Sequence, residues 1–100
     1  MLHITKAEFL DEYRVRVAFD NGREGIADLR PMIFDDVRPV FAALRDMAKF
    51  RRLYIEHGAL CWPGELDLAP EYIYFLALRD DKSLRGIFEE WGYIKAEVAV

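Results

Sequence analysis

Hydrophobic and polar positions alternate most regularly over residues 13 to 19. Tyr13, Val15, Val17 and Phe19 fall on one side, and Arg14, Arg16 and Ala18 on the other. A period of two places side chains on opposite faces of a strand, so this segment predicts a half-buried antiparallel strand. Asn21-Gly22 follows, a pair able to take positive φ at both centres of a type I′ turn, and it predicts a hairpin. Upstream, residues 2 to 9 predict a first strand. The alternation begun at Leu2 and Ile4 slips before Phe9, which predicts a bulge near Lys6-Ala7. Leu10-Asp11-Glu12 predicts a polar turn between the two. Residues 23 to 29 return as a third strand, with Ile26 and Leu29 as apolar contacts on different faces or across a bulge. The first third of the chain therefore predicts a three-stranded meander.

The period changes after Arg30-Pro31. Ile33, Phe34 and Val37 are at helical spacing over residues 31 to 37, until Pro39 interrupts. Val40, Phe41 and Leu44 turn inward on a second short segment, and Asp46 predicts an N-cap for one turn ending at Phe50. Residues 51 to 56 predict a strand, His57-Gly58 a tight turn, and residues 59 to 62 its return, with Cys61 opposite Tyr54. Trp62-Pro63-Gly64-Glu65-Leu66-Asp67-Leu68-Ala69-Pro70 then reads as a strand end, a tight turn and a helix start. Pro63 cannot donate to a ladder, Gly64 permits positive φ, and Pro70 suits the first helical position. Ala69 stands at the N-cap without an acceptor, so Asp67 is expected to fold over and cap the helix of residues 70 to 79. Further on, Leu84, Ile87, Phe88 and Trp91 share one helical face, with Gly92 as a C′ stop. Residues 93 to 100 alternate again, with Ile94, Ala96, Val98 and Val100 on one side, and predict a terminal strand. The expected fold is α+β: a mainly antiparallel sheet of about five strands, a meander plus a second hairpin, with two to three helices on one face. Residues 1 to 79 form the domain, and residues 80 to 100 form a helix-and-strand extension packed on it or on a partner chain.

Several of these segments together resemble the prokaryotic domain-of-unknown-function family 2442. The matching residues are Val17-Ala18-Phe19-Asp20-Asn21-Gly22, Asp28-Leu29, Pro39-Val40-Phe41-Ala42-Ala43-Leu44-Arg45-Asp46 with Phe50, and the closing motif of Trp62-Pro63, Asp67-Leu68, Pro70-Glu71 and Tyr74. The resemblance covers about residues 1 to 76 and departs from the family pattern at Gly64-Glu65 and Ala69. It implies no agreed activity. Longer relatives look like this domain fused to a helix-turn-helix, and others look like one half of a two-gene pair in the manner of toxin–antitoxin systems.

Composition narrows the function classes. With 53% hydrophobic residues over 100, the chain is a single folded domain, not a disordered one. A formal charge of −4 argues against nonspecific nucleic-acid binding. One cysteine permits no intramolecular disulfide and fits a reducing cytoplasm. No apolar run reaches membrane-spanning length, and no signal-peptide core is present at the N-terminus. No cofactor motif is present, and the six glycines are scattered singly.

Chemistry-bearing residues are few. Cys61 with His57 as base is the one nucleophile pairing, but Cys61 lies mid-strand and free cysteine is commonly a buried hydrophobe. His3 and His57 are not at metal-ligand spacing, and the carboxylate pairs Asp35-Asp36, Asp80-Asp81 and Glu89-Glu90 read as solvation and capping. We therefore expect no catalytic residues, no metal and no enzyme. Arg14, Arg16, Arg51 and Arg52, with Arg23, form a basic set beside Tyr13 and Tyr54. On an exposed sheet face they are either a solvated surface or a single-stranded nucleic-acid platform. Leu84, Ile87, Phe88 and Trp91 either cover the domain or meet a partner. The function expected is a non-enzymatic, cytoplasmic interaction protein, antitoxin-like, working as a homodimer or with a small protein partner. The alternative is a nucleic-acid accessory module.

Overall fold

Alternation in the first segments produces a meander. In the computed structural model, which describes residues 1–35 and 39–95, β1 (Ile4–Asp11), β2 (Arg14–Phe19) and β3 (Glu24–Asp28) form an antiparallel sheet in that order. Tyr13, Val15, Val17 and Phe19 are buried while Arg14 and Arg16 are exposed, as the period of two requires. The bulge lies between Ile4 and Lys6, just upstream of its expected place, and a second register shift falls between Phe9 and Asp11. Strand β1 therefore runs through Leu10 and Asp11, and the turn is Glu12-Tyr13.

The Asn21-Gly22 hairpin forms with a different turn. Only Gly22 takes positive φ (86°). The Gly22 N–H donates to the Phe19 carbonyl at 3.1 Å, and the Phe19 N–H donates to the Arg23 carbonyl at 2.9 Å. This is a three-residue loop in which a turn is followed by a left-handed glycine. Asn21 stays out of the left-handed region, where its side chain accepts from the Arg23 N–H at 3.0 Å and donates to the Tyr74 hydroxyl at 3.2 Å.

The helical middle is short, as its prolines dictate. Helix α1 (Arg30–Asp35) is followed by a 3-10 segment, Pro39–Arg45, and by α2 (Met47–Phe50). Asp46 caps α2, accepting from the Ala48 N–H at 2.9 Å. Val37, part of the predicted first helix, and the Val40 side chain lie outside the described residues.

The second half differs most from expectation. Strand β4 is only Tyr54–Glu56; Arg51 and Arg52 belong to the turn after α2. It pairs with β5 (Ala59–Trp62), Tyr54 opposite Cys61 as expected, and β5 pairs with β6 (Leu66–Leu68). Among the described residues the fold thus has six strands in two three-stranded sheets instead of about five in one. The extra strand arises because Gly64 (φ 95°) and Glu65 (φ 63°) reverse the chain after Trp62, so it returns before any helix starts. Helix α3 (Pro70–Leu78) then lies on the first sheet, and α4 (Arg85–Trp91) follows a 3-10 turn capped by Asp81. Gly92 ends α4 in the left-handed conformation, as read from the sequence. Tyr93–Lys95 is not strand, and the rest of the predicted terminal strand lies outside the described residues.

Two features join the sheets. Phe50 sits between them: its ring meets Phe9 and Tyr13 of the first at 6.1 and 5.1 Å, and Trp62 of the second at 5.7 Å. At the other end, the Ile4 N–H donates to the Gly58 carbonyl at 2.8 Å. His57 (φ 52°) and Gly58 (φ 77°) make the doubly positive turn that the sequence suggested for Asn21-Gly22. A Cβ on Gly58 would stand 2.3 Å from the His3 ring.

Gly58→Ala is therefore expected to lose more stability than Gly22→Ala in urea unfolding. Both sites carry positive φ, each costing about 1 kcal/mol for alanine. A Cβ at Gly22 meets nothing within 4 Å, so only Gly58→Ala adds a clash.

Candidate functional site

The outer face of the first sheet was the candidate nucleic-acid platform, and its register fixes its charge. Three cross-strand rows are exposed: Asp11, Arg14 and Asp28; Glu8, Arg16 and Ile26; Lys6, Ala18 and Glu24. Three cations thus share the face with four carboxylates. Arg14 is held in a fork by Asp11, with Nε and Nη2 donating at 2.8 and 2.7 Å. That hydrogen bonding lowers the Asp11 carboxyl below its ordinary range and raises the Arg14 guanidinium. Arg51 and Arg52 are not on this face. The Arg51 guanidinium lies 4.9 Å from the centre of the Phe9 ring, and Arg52 borders a cleft beside Trp62. The four arginines are not one surface.

His57 and Cys61 do line one shallow depression, with Tyr54, Glu56 and Asp67. Its electrostatics oppose thiolate formation. Burial first, and then the carboxylates of Asp67 and Glu56, push the Cys61 thiol above its ordinary value. The thiol donates weakly to the Ala59 carbonyl at 3.6 Å. Asp67 does not cap α3: it stands on β6 directly opposite Cys61, and Ala69, the N-cap of α3, has no side-chain cap hydrogen bond. Pairing of β6 with β5 commits Asp67 to the sheet. Among the described residues, no three of His, Cys, Asp and Glu are grouped as a metal requires.

The predicted helical face of Leu84, Ile87, Phe88 and Trp91 forms, and most of it is used within the chain. Phe88 is 1% exposed, with rings of Phe75, Tyr74 and Trp91 at 5.2, 6.1 and 6.1 Å. Leu84 and Trp91 are partly buried on the same core. Ile87 stays at the surface.

A different surface, not singled out from the sequence, is the outer edge of β3. Its ladder to β2 closes through Phe19 with Arg23 and Leu29 with Tyr13. By antiparallel alternation, Gly25 and Ala27 turn their backbone groups toward β2, and Glu24, Ile26 and Asp28 turn theirs outward. Among the described strands nothing pairs on that side. Ile26 is 41% exposed between the two carboxylates. The acid–apolar–acid period was present in the sequence, but only the register shows it to be an open edge.

The family model for a protein of unknown function, DUF2442, matches residues 4–78. The chain belongs to the DUF2442 family. A crystal structure of a candidate DNA-binding protein from Nitrosomonas europaea ATCC 19718 shares the fold, with a TM-score of 0.70 at 19% identity. The match covers 95% of this chain and 63% of that one, so this chain spans less than two-thirds of that protein's length. No curated protein matches the chain in sequence.

The DUF2442 motif positions are chiefly architectural. Trp62 is buried and donates through Nε1 to the Phe50 carbonyl at 2.8 Å. Asn21 ties the hairpin to Tyr74, Pro70 starts α3, and Pro63 with Gly64 makes the β5–β6 turn. Asp67 is at the surface, as are Asp20, Asn21, Gly22, Asp28 and Pro63.

The environment of Cys61 predicts a sluggish thiol. Alkylation by iodoacetamide at pH 8 should run at least about tenfold slower on the native protein than in urea. Equal rates would mean the carboxylates and burial do not control it.

Proposed function

We propose that the protein is a non-enzymatic interaction module that takes a strand of a partner polypeptide onto the open edge of β3. The observation that supports this reading is the outward backbone of Glu24, Ile26 and Asp28, with an exposed apolar side chain between two carboxylates. Backbone groups at a sheet edge supply affinity to an added strand, and alternate side chains supply choice of partner. The charges speak against a second copy of the chain. Antiparallel pairing about Ile26 would set Glu24 against Asp28 of the copy, and parallel pairing would set like residues side by side, both repulsive. A strand carrying lysine or arginine on either side of an apolar residue is complementary. A small basic partner also fits the antitoxin-like role implied by the family resemblance.

The alternative is nucleic-acid binding, which the name of the Nitrosomonas europaea neighbour suggests for that protein. Phosphate recognition needs a positive surface, and the carboxylates outnumber the cations on the outer sheet face. We therefore favour the polypeptide partner.

Ile26→Pro tests the reading with little cost to the fold, because the Ile26 N–H points away from the β2 ladder. Tagged wild-type protein is expected to retain one stoichiometric basic protein from its host, and Ile26→Pro to lose it at an unchanged melting temperature. Equal capture by both forms, or capture of nucleic acid in place of protein, would overturn the proposal.

A further inference from the structure

A second surface feature lies on the other sheet, away from the β3 edge. A cleft of about 320 Å³ opens between the 3-10 segment, α2 and the β5–β6 turn. Its floor is Leu44 and Trp62, both buried in the core, and its walls include Pro63 and Leu66. Lys49, in the last turn of α2, and Arg52, just beyond it, stand at the rim. Among the described residues the lining holds these two cations and no carboxylate, in a chain whose formal charge is −4.

Some of the other basic residues are paired with carboxylates: Arg14, Arg23, Arg30 and Arg85 each meet one. Lys49 and Arg52 at the cleft, like Lys6, Arg16 and Arg51, have no carboxylate within ion-pair distance among the described residues. Apolar walls weaken solvent screening and so strengthen the attraction between such cations and an anion lodged among them. The cleft is at the small end of ligand sites, and its make-up is the usual one of an apolar body with a few polar groups that fix orientation.

We infer that this cleft binds a small organic anion, a carboxylate or phosphate carried on a flat apolar body. The flat body lies on Leu44, Trp62 and Leu66, and the anion meets Lys49 and Arg52. The site is independent of the β3 edge and of any polypeptide bound there.

The test is calorimetric titration of the full chain with 2-naphthoate, its neutral counterpart 2-naphthamide, and adenosine monophosphate, at low salt. Saturable binding of 2-naphthoate or of the nucleotide is expected, and which of them binds separates the carboxylate source from the phosphate source. 2-Naphthamide should bind at least about tenfold more weakly than 2-naphthoate where the carboxylate is the ligand. Lys49→Ala/Arg52→Ala, two exposed changes whose folding is checked by the melting temperature, should weaken the anion about tenfold or more. Ile26→Pro should leave this binding unchanged. The inference is overturned if neither anion saturates, if 2-naphthamide binds as well as 2-naphthoate, or if the double variant binds like the wild type.

Discussion

The fold depends on one contact, the buried indole of Trp62 against Phe50. Neither three-stranded sheet is large enough to bury a core of its own, and strands of three or four residues, as in the second sheet, are marginal alone. Phe50 ends a single helical turn whose position Asp46 fixes by capping it. From there its ring reaches Phe9 and Tyr13 on one sheet and Trp62 on the other, while its carbonyl takes the indole N–H. A buried carbonyl without that donor would be left unpaired, at a cost of about 1–3 kcal/mol. The same residue therefore supplies apolar and polar complementarity across the joint. At the far end, the Gly58 carbonyl receives the Ile4 N–H and closes the sheets against each other.

A second aromatic cluster extends this core to the helices. Tyr74 on α3 meets Phe19, Phe88 and Trp91 edge to face and also receives the Asn21 side chain. Helix α3 can approach the sheet this closely because β3 carries Gly25 beneath it; a Cβ there would lie 2.8 Å from the Ala77 carbonyl. With the inner face of the first sheet covered in this way, the mixed-charge outer face, the β3 edge and the cleft beside Trp62 remain at the surface. The first is nearly self-neutralised, so the other two are where recognition is proposed.

The sequence disclosed those parts of the fold that local chemistry decides. The meander, the Asp46 cap, the pairing of Tyr54 with Cys61 and the Gly92 stop all follow from period, caps and turn residues. Strand β6 was missed because three residues, Leu66 to Leu68, give too short an alternation to read, and two successive positive φ values are not evident from Gly64-Glu65. That error carried Asp67 with it: with no strand in between, the residue looked like a cap. The arginines were misgrouped for a related reason. Arg51 and Arg52 look like strand residues until the turn after α2 is seen, and the acidic neighbours of Arg14 and Arg16 come from strands β1 and β3. The open edge and the cleft are properties of register and packing between segments distant in the chain, which no single stretch displays.

The claim that Trp62 and Phe50 hold two small sheets as one body is tested most directly by Trp62→Phe in urea unfolding followed by far-ultraviolet circular dichroism. The substitution keeps an aromatic ring at the joint and removes the indole N–H. A stability loss of about 1–3 kcal/mol in a single transition is expected. A midpoint equal to that of the wild type would contradict it.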